Sequence, residues 1–188
     1  MGLIEAFLKS DHHAIKLLMR DHREVDALFL EYEKADNVTH KMSLVSRICQ
    51  SLTVHADIEE RILYPAARAV LGQNDQDLLD EAYVEHATLK GLIIRLDGLR
   101  HSDPLFKGYV SVLKEYVQHH VKEEERDFFP KLEKAGLNLE QLGLRMMDLK
   151  ERSMALLKSE PQQTGVVNAP ALPALPLEER SQQVMRES

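Results

Sequence analysis

The chain has 188 residues, a net charge of −7 and 44% hydrophobic residues, so it is long enough for one main domain with its own core. Its acidic balance argues against a nucleic-acid or membrane-surface partner, and its apolar runs fall short of the roughly 18 residues that span a bilayer. A single cysteine, Cys49, excludes an internal disulfide, and residues 1–10 lack the pattern of a secretion signal, so we expect a cytoplasmic protein.

Four segments of the chain repeat apolar residues every three or four positions, as amphipathic helices do. They cover about residues 11–35, 38–71, 75–101 and 103–135, and short polar stretches separate them. Aromatic residues make up only 5% of the chain and tryptophan is missing, which favours helices over a β-sandwich. The sequence therefore predicts an all-α protein in which residues 1–137 form an antiparallel, up-down four-helix bundle.

The C-terminal part of the chain changes character twice. Residues 138–160 carry leucine and methionine along one side, which predicts an additional C-terminal helix that packs on the bundle. Residues 161–188 are rich in proline, alanine, glutamine and serine, which predicts a flexible, disordered tail. The Leu-Pro repeats of the tail leave open a protein partner that docks there. We otherwise expect a monomer or a weak homodimer.

Six polar residues occupy helix positions where the apolar pattern predicts core. Buried charges are rare in proteins unless they are paired or bound to a metal, so six of them on four helices need a shared explanation. Two pairs have His-x-x-x-Glu spacing, which places an imidazole and a carboxylate about 40° apart on one side of a helix. The other two helices each contribute one histidine. The set is His22, His55, Glu59, His86, His120 and Glu124.

The six residues also form two copies of one pattern. Each single histidine precedes its His-x-x-x-Glu pair by 33 or 34 residues, and each directly follows an acid, Asp21 or Glu85. Each pair begins ten residues before a proline, Pro65 or Pro130. Such a repeat predicts a site with pseudo-twofold symmetry, to which each half contributes two imidazoles and one carboxylate.

The repeat also decides the register of the second pair, because His119 and Glu123 are likewise four residues apart. His119 lies eleven residues before the proline of its repeat, whereas His120 lies ten, the spacing of the first copy. The acids beside the pairs, Glu60, Glu123 and Glu125, are expected to face outward or to support the ligands from outside.

Four imidazoles and two carboxylates in this arrangement suit two metal ions that share the carboxylates. Iron is the first choice for these donors, and manganese or zinc is less favoured. One zinc ion would need about four ligands and would leave two buried groups unexplained. The residues therefore predict a dinuclear metal centre with two iron ions as the cofactor.

At these residues the chain resembles the hemerythrin-like family, specifically the HHE cation-binding domain. The segments that carry the resemblance are LLMRDHREV, LTVHADIEERILYP, YVEHATLKGL and HHVKEEERDFFP, and it extends over about residues 11–135. The resemblance implies a four-helix bundle around a non-haem di-iron centre with an oxo or hydroxo bridge. The family's His…HxxxE…His…HxxxE pattern falls on the same six residues, and it implies that Glu59 and Glu124 are the bridging carboxylates.

The chain departs from the oxygen-carrying hemerythrins on the third helix, where those proteins have a His-x-x-x-His pair and this chain has Lys90 four residues after His86. With four histidines each iron keeps an open position, which favours reaction with a small ligand (O2, peroxide or nitric oxide) over reversible O2 carriage. We expect a catalase-like reaction with a small oxidant first. The alternatives are iron–sulfur cluster repair or nitric oxide handling, and a module that senses oxygen, redox state or iron. Tyr83 and Tyr116 lie near the ligands in sequence, and core packing is their expected role.

Overall fold

The computed structural model describes residues 12–159, which form helices joined by turns and contain no strand. Two π-helical turns, Glu59–Leu63 and Glu124–Phe128, each join two α-helices without a break. Residues 1–11 and 160–188 lie outside the described residues, and so does the predicted tail. The helices are α1 (Ala14–Lys34), α2 (Val38–Ile58), α3 (Tyr64–Val70), α4 (Gln76–Asp97), α5 (Phe106–Glu123), α6 (Phe129–Lys134) and α7 (Leu139–Ser159).

Four rods make the bundle: α1, α2 continued by α3, α4, and α5 continued by α6. Consecutive rods pack side by side and are joined by short connections, so the chain runs up and down through the bundle. The all-α four-helix bundle predicted from the sequence is confirmed. Two apolar clusters fill its interior, one around Leu18, Ile58 and Leu132 and the other around Phe29, Ile48, Leu113 and Phe106. The polar residues singled out in the sequence lie between these clusters.

The fourth rod begins later than the sequence predicts. Its start was expected near Asp103 and Pro104, but the first helical residue is Phe106. The side chain of Asp103 accepts a hydrogen bond from the backbone N–H of Arg100 at 2.5 Å, and its carbonyl accepts one from Phe106. Asp103 therefore stabilises the turn between the rods instead of capping the helix.

Each rod with a His-x-x-x-Glu pair contains a π-helical turn that begins at its glutamate. The backbone N–H of Tyr64 bonds to the carbonyl of Glu59, five residues back, and Phe129 bonds to Glu124 in the same way. A proline follows each turn, and it has no N–H to continue the α-helical ladder. The sequence predicted uninterrupted α-helices here, so both rods differ from the prediction at the same place.

The π-helical turn changes which side of the rod the next residues face. On a continuous α-helix Tyr64 would stand about 140° around the axis from Glu59, since each residue advances about 100°. The turn absorbs one extra residue and reduces this angle to about 40°. Tyr64, and likewise Phe129 after Glu124, thereby faces the polar residues of its own rod.

The helix α7 packs against α1, α2 and the first π-helical turn. Its buried residues Leu142, Met146 and Leu149 belong to the same apolar cluster as the core of those elements. Lys150 adds an ion pair with Asp21, at 2.5 Å. One side of the bundle is therefore covered. No helix among residues 12–159 is long and apolar enough to cross a membrane.

Gly143 marks the closest approach of α7 to the start of α1. A Cβ on this residue would overlap the carbonyl oxygen of His12 and lie 2.8 Å from the backbone nitrogen of Ala14. We expect Gly143→Ala to displace α7 and to lower the free energy of unfolding by about 1–3 kcal/mol. Urea unfolding followed by circular dichroism measures this change.

Gly91→Ala is the matched control for that substitution. Gly91 lies inside α4, and a Cβ there meets nothing within 4 Å. Alanine favours a helix by about 1 kcal/mol over glycine, so this variant should be as stable as the wild type or more stable. A Gly143→Ala variant that unfolds at the wild-type urea concentration would contradict the described packing of α7.

Candidate metal centre

The structure brings all six polar residues of the sequence pattern together in one buried layer across the middle of the bundle. None of them is more than 6% exposed. Their donor atoms form two groups in which all atoms lie within 4.8 Å of one another. The groups, which we call the first and second ligand groups, are His22, His55 and Glu124, and His86, His120 and Glu59.

The imidazoles of each group point their Nε2 atoms toward each other. The two Nε2 atoms are 3.2 Å apart between His22 and His55, and also between His86 and His120. The ring centroids are 4.8 and 4.9 Å apart, so the two groups have nearly the same geometry. The pseudo-twofold repeat of the sequence is thus present in the arrangement of the side chains.

The two carboxylates of the layer connect the two ligand groups. Oε2 of Glu59 lies 3.1 Å from Nε2 of His55 in the first group and 3.4 Å from Nε2 of His86 in the second. Oε2 of Glu124 lies 3.3 and 3.5 Å from the Nε2 atoms of the remaining two histidines. Each carboxylate therefore lies within reach of both groups.

A second set of carboxylates holds the imidazoles from outside. A carboxylate only accepts hydrogen bonds, so the Nδ1 atom that faces it carries the proton and Nε2 is left free to act as a metal ligand. The contact of His55 is a longer ion pair rather than a hydrogen bond. The Nδ1–carboxylate pairs are His22–Glu125 at 2.8 Å, His86–Glu60 at 3.1 Å, His120–Glu85 at 2.6 Å and His55–Asp21 at 3.7 Å.

Three of these four outer carboxylates are in turn neutralised by a basic side chain. The pairs are Arg23–Glu125 at 2.6 Å, Lys90–Glu60 at 2.6 Å and Lys150–Asp21 at 2.5 Å. The fourth carboxylate, Glu85, has no lysine or arginine within 4 Å in the part of the chain between residues 12 and 159. The outer shell is therefore symmetric in its acids but not in its cations.

The two ligand groups also differ in the aromatic residue that stacks on them. The ring of Tyr64 lies 5.3 Å from His86, and Phe129, its equivalent in the repeat, lies 5.9 Å from His22. The hydroxyl of Tyr64 donates to Oε1 of Glu124 at 3.3 Å and lies 3.2 Å from Nε2 of His86. Burial raises the pKa of Tyr64 well above its usual value, so this phenol stays protonated. One group thus has a hydroxyl donor beside it, and the other has a phenyl ring.

The negative charge of the two carboxylates in the layer is balanced only in part by the protein's own imidazoles. Burial disfavours the charged forms of His55 and His120, but the carboxylates of Glu59 and Glu124 outweigh it and raise the pKa values to about 10 and about 9. Burial lowers the pKa of His86 to about 3, and it raises that of Glu59, to which the neighbouring Glu124 adds. Without a metal, protons on two imidazoles supply the positive charge that the carboxylates require.

Three carboxylate oxygens of the layer are buried without a hydrogen-bond partner: both oxygens of Glu59 and Oε2 of Glu124. An unsatisfied buried carboxylate is costly, and proteins keep one only where it is paired or bound to a cation. Imidazole nitrogens and carboxylate oxygens are donors that iron, manganese and zinc accept. The residues present therefore fit the dinuclear centre that the sequence predicts.

A cavity borders the layer, and its volume is about 400 Å³ when the open solvent at its mouth is included. All four histidines of the layer line its inner end, where the Nε2 atoms converge. Its remaining wall contains two of the outer carboxylates, Asp21 and Glu85, and is otherwise largely apolar, with Val25, Leu52, Leu89, Tyr116, Val117 and Val121. A small, weakly polar molecule can therefore approach the imidazoles along the apolar part of this wall.

The structure also separates the residues that the sequence left ambiguous. His120 lies in the layer, whereas the side chain of His119 is 62% exposed. Of the tyrosines considered, Tyr83 is 36% exposed and packs edge-on against Tyr64, and Tyr116 lines the cavity; within residues 12–159 neither of them forms a hydrogen bond with a carboxylate of the layer. Tyr64, which does, was missed because its distance along a continuous α-helix places it on the wrong side. The signal available was its position directly before Pro65.

Comparison with known proteins places this layer in a described domain. A family model described as the Hemerythrin HHE cation binding domain matches residues 13–132. A solved structure of a hemerythrin HHE cation-binding-domain-containing protein from Mycobacterium kansasii superposes with a TM-score of 0.70, at 23% identity, over 82% of this chain and 94% of that chain. At this identity the likeness shows the fold.

Two curated relatives share part of the chain. It is 31% identical over 121 residues to a protein named DNA nickase from Nostoc sp., and 23% identical over 117 residues to an uncharacterized hemerythrin-like protein of Schizosaccharomyces pombe. The matches cover 64% and 62% of this chain, but only 34% and 58% of the relatives. The chain therefore spans about a third of one relative and somewhat over half of the other.

The raised pKa values of His55 and His120 predict how the stability of the metal-free protein depends on pH. The native state keeps protons on these imidazoles up to about pH 9–10, whereas the unfolded chain loses them near 6.5. Stability that these protons provide is complete below pH 6.5 and is lost as the pH rises through 9–10. Urea unfolding of chelator-treated protein at pH 6.5 and pH 9.5 should show a lower midpoint at the higher pH. An unchanged midpoint would contradict this charge balance.

The Tyr64 hydroxyl gives a second prediction for the metal-free protein. Tyr64→Phe leaves Oε1 of Glu124 without its donor, so we expect the free energy of unfolding to fall by about 1–3 kcal/mol. Tyr109→Phe is the control, because Tyr109 packs in the other apolar cluster and no hydrogen bond to its hydroxyl occurs among residues 12–159. Urea unfolding of both chelator-treated variants tests the difference. Equal losses in the two variants would show that the Tyr64–Glu124 bond contributes nothing.

Proposed function

Because the chain belongs to the hemerythrin HHE cation-binding domain family, we propose that its buried layer holds two iron ions and reacts with a small oxidant, peroxide first and O2 second. We assign the first ligand group to one ion and the second to the other, with Glu59 and Glu124 shared between them. The observation that carries this proposal is the pair of carboxylates, each within 3.5 Å of a histidine from both groups and each with an Oε2 that lacks a hydrogen-bond partner.

Iron is favoured by the donor set and by the bundle that presents it. Carboxylate-bridged pairs of iron or manganese are the usual metal centres inside four-helix bundles. Held by these residues, two iron ions would supply the exchange of two electrons by which one peroxide and two protons give two water molecules while a second peroxide gives O2 and two protons. The chain's own part is to hold the ligands, to limit access and to keep protons at fixed atoms.

The cavity sets the size and polarity of the substrate. The four imidazoles and the outer carboxylates Asp21 and Glu85 line it together with the apolar side chains of Val25, Leu52, Leu89 and Val117. These four side chains are all buried and fixed by the core, so the space beside the layer does not widen for a large organic molecule. A diatomic molecule or peroxide fits such a wall, and an ionic substrate does not.

The hydroxyl of Tyr64 keeps a proton beside one side of the layer. It donates to Glu124 and stays protonated because burial and the nearby carboxylates disfavour the phenolate. Phe129 offers no such group to the first ligand group. We therefore propose that a proton needed by a reduced oxygen atom is held near the second ligand group, which contains His86.

Metal content and peroxide loss together test this proposal. Anaerobically purified protein, loaded with Fe²⁺ and desalted, should contain two irons per chain by mass spectrometry, and it should consume peroxide faster than the same amount of free iron. We expect His55→Ala to bind at most about one iron, because it removes one of the few donors of the first ligand group. His40→Ala is the matched control, since His40 is exposed and pairs with Glu31, outside the layer.

The outcomes separate the metal assignment from the reaction. One zinc per chain, or no metal in the wild type, would contradict the di-iron centre. Two irons with no gain in peroxide loss over free iron would retain the centre and reject the catalase-like reaction. In that case, binding of nitric oxide by the two-iron protein would favour nitric oxide handling, the alternative from the sequence. Cleavage of DNA stays a property of the Nostoc relative, of which the matched segment covers 34%.

A further inference from the structure

A third group of possible metal ligands lies outside the layer, on the side of the bundle formed by α4 and α5. Donor atoms of Glu85, His119 and Glu123 lie within 4.8 Å of one another. Nε2 of His119 is 3.4 Å from Oε1 of Glu123, and the His119 side chain is 62% exposed. We call these three residues the outer site. Unlike the two ligand groups in the layer, the outer site is partly accessible to solvent, because His119 is exposed while Glu85 and Glu123 are half-buried.

A pocket, which we call the passage, borders both the outer site and the layer. Its volume is about 290 Å³ when the open solvent at its mouth is included, and it is lined by Glu81, Glu85 and Glu123 together with His120 and Glu124. Glu124 is only 2% exposed, and its Oε2 has no hydrogen-bond partner. The passage therefore lies between carboxylates that solvent reaches and a buried carboxylate of the layer.

The mouth of the passage carries negative charge that forms no ion pair with a lysine or arginine of residues 12–159. Neither Glu85 nor Glu123 has such a side chain within 4 Å, and Arg126, which pairs with Asp127 at 2.5 Å, acts on Glu123 only from a longer distance. An acidic opening in a low-dielectric wall concentrates cations and raises their rate of association. The charge of the mouth thus favours a divalent cation as its ligand.

The internal repeat shows that the bundle does not require this opening. In the first copy of the pattern the equivalent positions are buried beneath α7, and the acid among them, Asp21, is neutralised by Lys150. The second copy has three ionisable residues where the first has apolar ones. The equivalent residues are Leu17 and Glu81, Asp21 and Glu85, Val54 and His119, and Ile58 and Glu123. One side of the layer is thus sealed by apolar packing, and the other is open and acidic.

We propose that the outer site is a loading site that takes up Fe²⁺ from solution and passes it along the cavity to Glu124 and His120. This inference rests on the proposed function, since it assumes that the layer holds iron. Three protein ligands at an exposed position leave room for bound water, so the ion is held loosely enough to move on. Glu85 links the two sites, because it belongs to the outer site and accepts the hydrogen bond of His120 Nδ1 at 2.6 Å.

The rate of iron loading tests the loading site. Metal-free full-length protein is mixed anaerobically with Fe²⁺, and a chromogenic chelator traps the free Fe²⁺ at successive times. We expect the double variant His119→Ala/Glu123→Gln to load roughly tenfold more slowly than the wild type, because it removes two ligands and one negative charge at the mouth. Its endpoint should still be two irons per chain, since both substituted residues lie outside the layer. Circular dichroism checks that the variant is folded.

The double variant Glu31→Gln/His40→Ala is the matched control. It removes the same residue types and the same charge from an exposed histidine–carboxylate pair, 3.2 Å apart, that lies about 13 Å along α1 from His22. We expect it to load at the wild-type rate. Loading of the outer-site variant at the wild-type rate, or equal slowing of both variants, would overturn the loading site. A wild-type endpoint below two irons would overturn the proposed function instead, whatever the rates.

Discussion

The rest of this structure depends on two carboxylates that lie in the middle of the helical bundle, away from water and with few hydrogen-bond donors. Glu59 and Glu124 would destabilise the core if nothing balanced their charge. Successive shells of alternating charge surround this pair. The four imidazoles come first, then the four acids behind them, and then the three basic side chains that pair with those acids. Apolar clusters above and below then keep the shells in place, so packing and electrostatics depend on each other.

The doubled pattern explains why one bundle can present two nearly equal ligand groups, and its exceptions show where the halves take different roles. Tyr64 against Phe129 makes the inner environment unequal, because only one ring carries a hydroxyl. Lys150 against the unneutralised Glu85 makes the outer shell unequal. The first difference can be read from the residue directly before each proline, whereas the second depends on the packing of α7, which brings Lys150 to Asp21.

Much of the fold and of the buried layer could be predicted from the sequence, because the relevant spacing lies within single helices. The spacing within each His-x-x-x-Glu pair lies before the π-helical turn, so α-helical geometry applied and both pairs were placed correctly on the inside. The resemblance to the HHE cation-binding domain is confirmed by the family match. Tyr64 was missed because the π-helical turn rotates it, and single-helix periodicity contains no such step.

Other features depend on contacts between helices. They could not be predicted, because the periodicity of a single helix does not describe such contacts. Asp21 and Glu85 were visible as acids before a histidine, but the imidazole that each one holds belongs to the neighbouring helix. The side of the bundle that α7 covers is likewise decided by packing; the sequence predicted a helix that packs on the bundle, but not which side it covers. The assignment of the six ligands and the domain limits at residues 137 and 160 stay predictions.

The chain of contacts from Lys150 through Asp21 to His55 joins α7 to one of the proposed metal positions. Thermodynamic linkage makes such a connection reciprocal. If docking of α7 improves the orientation of His55, then an ion bound to His55 must tighten the docking of α7 by the same free energy. In that case the docking of α7 depends on whether the metal is bound. A molecule that competes for the docking surface of α7 would then weaken metal binding by the same free energy.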